Sequence, residues 1–233
     1  MYAREVNGQT LSFGVSGMLW RDNLIMYDRQ SDSWWSQADG KAIRGPRRGT
    51  QLVQMPSDLM PFAEWRALYP GTLVLSSGTR AERDRYQTYH ESRDIGVTGR
   101  TRSAGALDGK ARVVGFRLGE RAFAVELARL AMPRMLQADA AGTPVVVALS
   151  PDGGTARVFI AEEHRFSASP TSSGGRLELR DAASASTWDA FSGTAISGPL
   201  SGARLKQVPA HMSYWFSWHS FFPNTRVLGA SSK

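Results

Sequence analysis

Trp35-Ser-Gln-Ala-Asp-Gly-Lys-Ala-Ile-Arg-Gly-Pro46 returns 153 residues later as Trp188-Asp-Ala-Phe-Ser-Gly-Thr-Ala-Ile-Ser-Gly-Pro199. The offset holds without a gap through Trp65/Trp218, Pro70/Pro223 and Leu75/Leu228, with about 15 of roughly 41 positions identical. Self-similarity at a fixed spacing is the signature of a repeated unit. It predicts two similar halves: residues 1–77, an N-terminally shortened first repeat; 78–104, a connector; and 105–233, the second repeat. The halves are unequal in front, because Met1-Tyr2-Ala3 aligns near Val158-Phe159-Ile160 and the first copy has nothing like 111–157 ahead of it. This leaves open whether the duplication is asymmetric or the first copy has lost its leading ~50 residues.

Around that stretch the patterning is β-rich. Thr10–Val15, Asn23–Tyr27 and Ser33–Gln37 read as strands of a meander, with Ala38-Asp39-Gly40-Lys41 as a hairpin turn. Leu52–Met55 reads as a fourth strand. A helix capped by Ser57 or Asp58 follows, with Leu59, Phe62, Trp65 and Tyr69 as its core stripe, and Thr72–Leu75 returns as a strand. The second copy repeats the stripe as Met212, Trp215, Trp218 and Phe222. Between the copies, Val113–Phe116 and Ala122–Val125 read as strands, then a helical stretch near Leu127 to Met132, then strands at Pro144–Leu149 and Ala156–Ile160. A polar loop at 167–175 leads into Leu177–Leu179. The expected class is α+β, mainly antiparallel β with one short helix per repeat, in two internally duplicated halves.

The bulk composition excludes several chemistries. There is no cysteine among 233 residues, so disulfides, thiolate nucleophiles and thiolate-bound metals are ruled out. No apolar run reaches the ~18 residues a membrane span needs, and Met1–Glu5 has no apolar signal-peptide core. The net charge of +7 rests on 24 arginines and four lysines. Most arginines interleave with acids, and the densest cluster (Lys41, Arg44, Arg47, Arg48) becomes Thr194, Ser197, Leu200 and Ser201 in the second copy. Nucleic acid is therefore disfavoured as a partner and the cluster reads as a solvated face.

No phosphate loop, dinucleotide fingerprint or zinc motif is present. Gly14-Val15-Ser16-Gly17 lacks the glycine two residues after serine that a nucleophile elbow requires, so Ser16 reads as part of a tight turn. His211 and His219 could share a helix, but eight residues would separate them by roughly 12 Å, too far for one metal. No catalytic residue, metal or cofactor is assigned. The polar residues lodged in the repeated apolar pattern remain. Asp28 matches Asp181, and each could simply build the turn after its strand. Beside the fixed tryptophan, Ser36-Gln37 becomes Asp189-Ala190, a divergence suited to a specificity position. Ser16, Asn23, Asp28, Trp35 and Gln37, with Trp188 and Asp189, are the candidate ligand-binding residues. The favoured reading is a non-catalytic binding or structural module that takes a small ligand or protein partner in a groove between the halves.

The strings Leu11-Ser-Phe-Gly-Val-Ser-Gly17, Asn23-Leu-Ile-Met-Tyr-Asp-Arg29, Trp35-Ser-Gln37 and Gly40-x-Ala-Ile-x-Gly-Pro46 resemble domain-of-unknown-function family 3179, over nearly the whole chain. The resemblance implies a mostly bacterial and archaeal family with no activity to carry over. It also implies a Cys-Pro-x-Cys-like turn ahead of the Phe-Gly-Val-Ser-Gly segment in fuller members. Here the first copy lacks that region, and the second has Ser150-Pro151-Asp152-Gly153. The runner-up reading follows: an enzyme or thiol protein whose reactive segment lies upstream of Met1. Arginine-mediated nucleic-acid binding comes third.

Overall fold

The computed structural model describes residues 1–75, 86–99, 101, 105–130, 134–169 and 177–229. The first 75 residues carry β1 (Glu5–Val6), β2 (Gln9–Thr10), β3 (Phe13–Trp20), β4 (Asn23–Asp28), β5 (Trp34–Ser36), β6 (Ala42–Arg44) and the helix α1 (Phe62–Leu68). A short helix, α2 (Gln87–Glu91), follows. Then come β7 (Arg112–Leu118), β8 (Arg121–Glu126), β9 (Met135–Asp139), β10 (Pro144–Leu149), β11 (Ala156–Ile160) and β12 (Phe166–Ser169). The chain continues through β13 (Glu178–Asp181), β14 (Thr187–Asp189), β15 (Thr194–Ser197), β16 (Gln207–Val208), β17 (Ala210–Tyr214), α3 (Trp215–Phe221) and β18 (Arg226–Val227). The strands pair antiparallel except β18, which runs parallel to β8. The protein is thus β-rich with few short helices, and no described helix is long and apolar enough to cross a membrane.

Two four-stranded meanders, β3-β4-β5-β6 and β12-β13-β14-β15, share one register. Phe13 faces Asp28 as Phe166 faces Asp181, and Met26 faces Trp35 as Leu179 faces Trp188. Both carry a bulge immediately before the tryptophan, between Trp34/Trp35 and Thr187/Trp188. The shared Gly-Pro that follows has a steric reason. Gly45 and Gly198 sit at φ +92° and +88°, and a Cβ there would stand 2.8 and 2.7 Å from the Cα of Ser33 and Ser186. Those serine hydroxyls in turn accept the amides of Arg47 and Leu200, both at 3.0 Å.

Behind its meander the second part is deep. The order from outside is α3, then β17-β7-β8-β18, then β16-β11-β10-β9, then β12-β13-β14-β15. β10 is apolar throughout because both its faces are covered. Val145, Val147 and Leu149 pack with Val114, Phe116 and Phe123, while Val146 and Ala148 pack with Leu179 and Trp188. Among the described residues the first part has one four-stranded sheet and the β1–β2 hairpin. Val6, Leu11, Trp35, Ala42 and Leu52 close a small core beneath β3–β6. Burying each of the two sheet tryptophans contributes on the order of 4–6 kcal/mol.

Several sequence expectations are corrected by this layering. Leu52–Met55 is not a strand: Gln51 and Gln54 make only isolated bridges, to Lys41 and Tyr2. Thr72–Leu75 is not a strand either. In the second part their counterparts β16 and β18 pair with β11 and β8, and among the described residues the first part has no such neighbours. The helix starts after Pro61 with no side-chain cap, not at Ser57 or Asp58. Its stripe is not core, since Leu59 is 69% and Phe62 50% exposed. β3 spans Gly17, but its pairing with β4 is irregular between Val15 and Leu19, with Gly17 at φ +74°, and β12 starts at Phe166 and runs into the expected loop at 167–175, of which 170–175 lie outside the described residues. The helical stretch near 127–132 is a 3-10 turn at Leu127–Leu130, with 131 and 132 outside the described residues. The expected connector 78–104 is described only at 86–99 and 101, where α2 lies.

Candidate binding cleft

Contacts from the first meander and from Asp58 hold the first part against the second and leave a cleft between them. Asn23 Nδ2 donates to Ser217 Oγ at 2.8 Å, and the Arg21 guanidinium donates to the Ser220 carbonyl. Trp20 meets Phe221 edge-on at 5.4 Å. On the far side Arg157 grips Asp58 with two bonds, Nε to Oδ1 at 2.7 Å and Nη2 to Oδ2 at 2.6 Å.

The cleft encloses about 390 Å³. β4 and β5 supply Asn23 and Gln37 at their ends, and the segment after β6 supplies Gln54. Opposite them β17 presents His211, Met212 and Ser213, and α3 presents Ser217, Trp218 and Phe221. Alternation along β17 aims His211 and Ser213 to the same side. The His211 ring lies 5.1 Å from the Trp218 ring, with its Nδ1 3.4 Å from Gln54 Nε2. Burial first, and the Met1 amino group second, push the His211 pKa down to about 4, so the imidazole is neutral at pH 7. Ser213 Oγ is buried and has no hydrogen-bond partner among the described residues. The Tyr2 hydroxyl donates to the Ala38 carbonyl at 2.9 Å, and burial and the Asp39 charge push its pKa up, with Arg117 opposing.

Of the residues singled out from sequence, Asn23 and Gln37 line this cleft. Ser16 lies elsewhere, donating to the Ile25 carbonyl at 2.6 Å and accepting the Met18 amide at 3.1 Å. Asp28, Trp35 and Trp188 are buried within the meanders. Asp28 Oδ2 accepts the Trp35 indole at 2.8 Å, and Oδ1 accepts the Ser31 amide at 2.7 Å. Burial would raise the Asp28 carboxyl, but the Trp35 and Ser31 bonds outweigh it and hold it low. Asp181 is likewise held well below the carboxylate range: burial opposes, and Ser184, the Arg165 amide and His164 prevail. Asp189 Oδ1 accepts the amides of Phe191 and Ser192, which makes it a turn residue.

Sequence reasoning did not select Gln54, His211, Ser213 or Ser217. His211 and His219 do not share a helix, since His211 is on β17. Only the alternation of His211 and Ser213 in an apolar strand could have flagged that pair. Among the described residues, one grouping could hold a cation: Glu162, Glu163 and His164, with ligand atoms within 4.8 Å of one another. The two glutamates are exposed and His164 Nδ1 is engaged by Asp181 at 3.0 Å.

No curated protein and no solved structure matches the chain. A family model described as a protein of unknown function (DUF3179) matches residues 1–225, and the chain belongs to that family.

Proposed function

We propose that this chain is a non-catalytic binding module made of two copies of one β-rich unit, and that the cleft between them takes an uncharged small molecule. The shared registers of the meanders support the duplication. So do the helices, in which Trp65 and Trp218 each donate to a threonine hydroxyl, Thr72 and Thr225, at 2.8 Å. The observation that carries the ligand reading is the composition of the lining. Three amides (Asn23, Gln37, Gln54), two serine hydroxyls and a neutral imidazole border methionines and aromatic rings, and no Lys, Arg, Asp or Glu side chain lines the space. Such a set favours a ligand with a flat apolar body and edges that both donate and accept hydrogen bonds. No side chain of that lining supplies a countercharge to an ionic ligand.

The arginine reading has less support. Arg44 is folded over the Trp34 ring at 4.6 Å and Arg47 donates to Gln9, so part of the basic cluster is already engaged.

A thermal-shift screen of neutral heterocycles tests the proposal. At 100 times its Kd a true ligand stabilises by about 2.7 kcal/mol, which at this length raises Tm by about 5–10 °C. The shift is expected to shrink to under about 2 °C in Asn23→Ala and Gln37→Ala. A ligand whose shift both variants retain in full binds elsewhere and sinks the cleft.

A further inference from the structure

Strands β8 and β18 bring two arginines to the margin of the main core, and neither is answered there. Side chains alternate along β8, so Arg121 shares a face with Phe123 and Val125, which pack in the core between the sheets. Arg226 of β18 pairs in parallel with Phe123 and takes the same face, as Leu228 does two residues on. Strand spacing and rise put the Arg121 and Arg226 Cα atoms about 8 Å apart on the diagonal. Among the described residues neither guanidinium has a hydrogen-bond, carboxylate or ring partner. The two line a pocket of about 560 Å³ together with Phe123, Phe222, Asn224 and Ala141 of the β9–β10 turn. Nearby acids are already engaged. Asp139, in the same hairpin as Ala141, accepts the Gly142 amide at 2.9 and 3.1 Å. Glu120 lines the pocket but faces Arg117 at 3.4 Å, with its side chain 99% exposed. Arg117 itself stands 5.6 Å from the Phe222 ring, so three arginines meet one glutamate around this space.

We propose that this pocket binds an aromatic oxyanion, a small molecule whose carboxylate or phosphate bridges Arg121 and Arg226 and whose ring lies against Phe222. Like charges at neighbouring positions of one sheet face repel, and an anion between them relieves that repulsion. Each guanidinium offers a fork of parallel N–H donors that matches two oxygens of either group. Asn224 adds a side-chain amide as a further donor. The volume falls within the roughly 300–1,000 Å³ of small-molecule sites, and the phenylalanines give it the apolar wall such sites use. Phe221 and Phe222 line this pocket and the cleft alike. One aromatic wall thus parts a space lined by uncharged groups from one lined by arginines, and the two select different ligands. A nucleic-acid strand fits less well, since it needs cations tracking successive phosphates rather than one pair closing on a pocket.

Isothermal titration calorimetry of the full chain at low salt, with phenyl phosphate, benzoate and inorganic phosphate as probes, tests the pocket. An aromatic probe is expected to saturate a single site per chain and to bind about tenfold tighter than inorganic phosphate. The tighter of the two aromatic probes names the oxyanion. Arg121→Gln and Arg226→Gln are each expected to weaken it about tenfold. Both side chains are exposed, so circular dichroism should be unchanged. Arg180→Gln removes the same charge from β13 and should leave the affinity within about twofold. An equal loss in Arg180→Gln would mean general attraction to a basic surface and overturns the proposal. Full affinity in either pocket variant does so too, as does inorganic phosphate binding as tightly as the aromatic probes. Absence of saturable binding by both aromatic probes has the same consequence. An oligonucleotide held more tightly than either probe and released by Arg121→Gln assigns the pair to nucleic acid and overturns the pocket. The thermal shift of a neutral ligand in the cleft is expected to be the same in both arginine variants, so failure of one site is distinct from failure of the other.

Discussion

The two meanders share strand order, register and turn, while the two helices share only their internal geometry. β3–β6 and β12–β15 keep the same strand order, bulge and glycine turn although one is the last layer of a four-layer stack and the other backs onto a small core. A meander of this kind satisfies its backbone internally and brings its own buried tryptophan and aspartate, so it tolerates a change of neighbours. A seven-residue helix cannot do that. Its stability comes from the surface it packs on, and α3 has one where α1 has none among the described residues.

Truncating the corresponding indoles measures that contrast. Trp218 is 3% exposed between β7 and β18, and Trp218→Ala is expected to cost about 3–5 kcal/mol. Trp65 is partly exposed, and Trp65→Ala should cost about 1 kcal/mol. Urea unfolding followed by circular dichroism distinguishes the two. Equal costs would mean that α1 is supported as well as α3.

The same contrast explains what could be read in advance. The first meander and its hairpin turn are legible because Trp35, Gly40, Gly45 and Pro46 are demanded by local geometry. The expected strands at 52–55 and 72–75 failed because strand-forming residues become a strand only beside a partner, and propensity says nothing about partners. Met135–Asp139 escaped notice for the opposite reason: its alternation is weak, but β10 pairs with it at every residue. In the cleft, Gln37 follows from its place beside the fixed tryptophan, and Asn23 enters only as part of the same groove. Asp28 and Trp35 were chosen by the same logic, yet a fixed tryptophan marks a core, and its polar partner was buried with it. His211 and Ser213 stand more than 150 residues from Asn23 and Gln54, and only the packing of one half on the other joins them.

A smaller effect comes from the position shared by Asp58 and His211, 153 residues apart. Asp58 forms an ion pair with Arg157, whereas His211 is buried as a neutral ring in the cleft. Because the folded-state pKa of His211 is depressed to about 4, the unfolded chain takes up a proton first as the pH falls. The neutral ring is fully compatible with the fold above about pH 6.5, and stability is lost between there and about pH 4. The loss attributable to His211 at pH 4.5 is expected to be roughly 2–3 kcal/mol. His211→Gln should flatten the profile over that window when urea unfolding is compared at pH 7 and pH 4.5. A profile that stays steep in the variant would place the titrating group elsewhere.

The smallest effect asks whether the meanders are interchangeable at their centres. Trp35 donates to Asp28, while the buried Nε1 of Trp188 has no partner, because His164 stands where Leu11 stands and reaches Asp181 at 3.0 Å. Asp181 keeps the Ser184 hydroxyl at 2.6 Å and the Arg165 amide at 2.9 Å whichever ring it meets. His164→Leu makes the second centre resemble the first and frees Oδ2 for the indole, so one donor replaces another and the net change should stay under about 1 kcal/mol. The informative quantity is the coupling. Trp188→Phe should cost about 1 kcal/mol more in the His164→Leu background than in the wild type, because only there does the indole have a bond to lose. A coupling of zero would mean that the tryptophan cannot reach the carboxylate even when the histidine is gone. The two aspartates would then share a register without sharing a role.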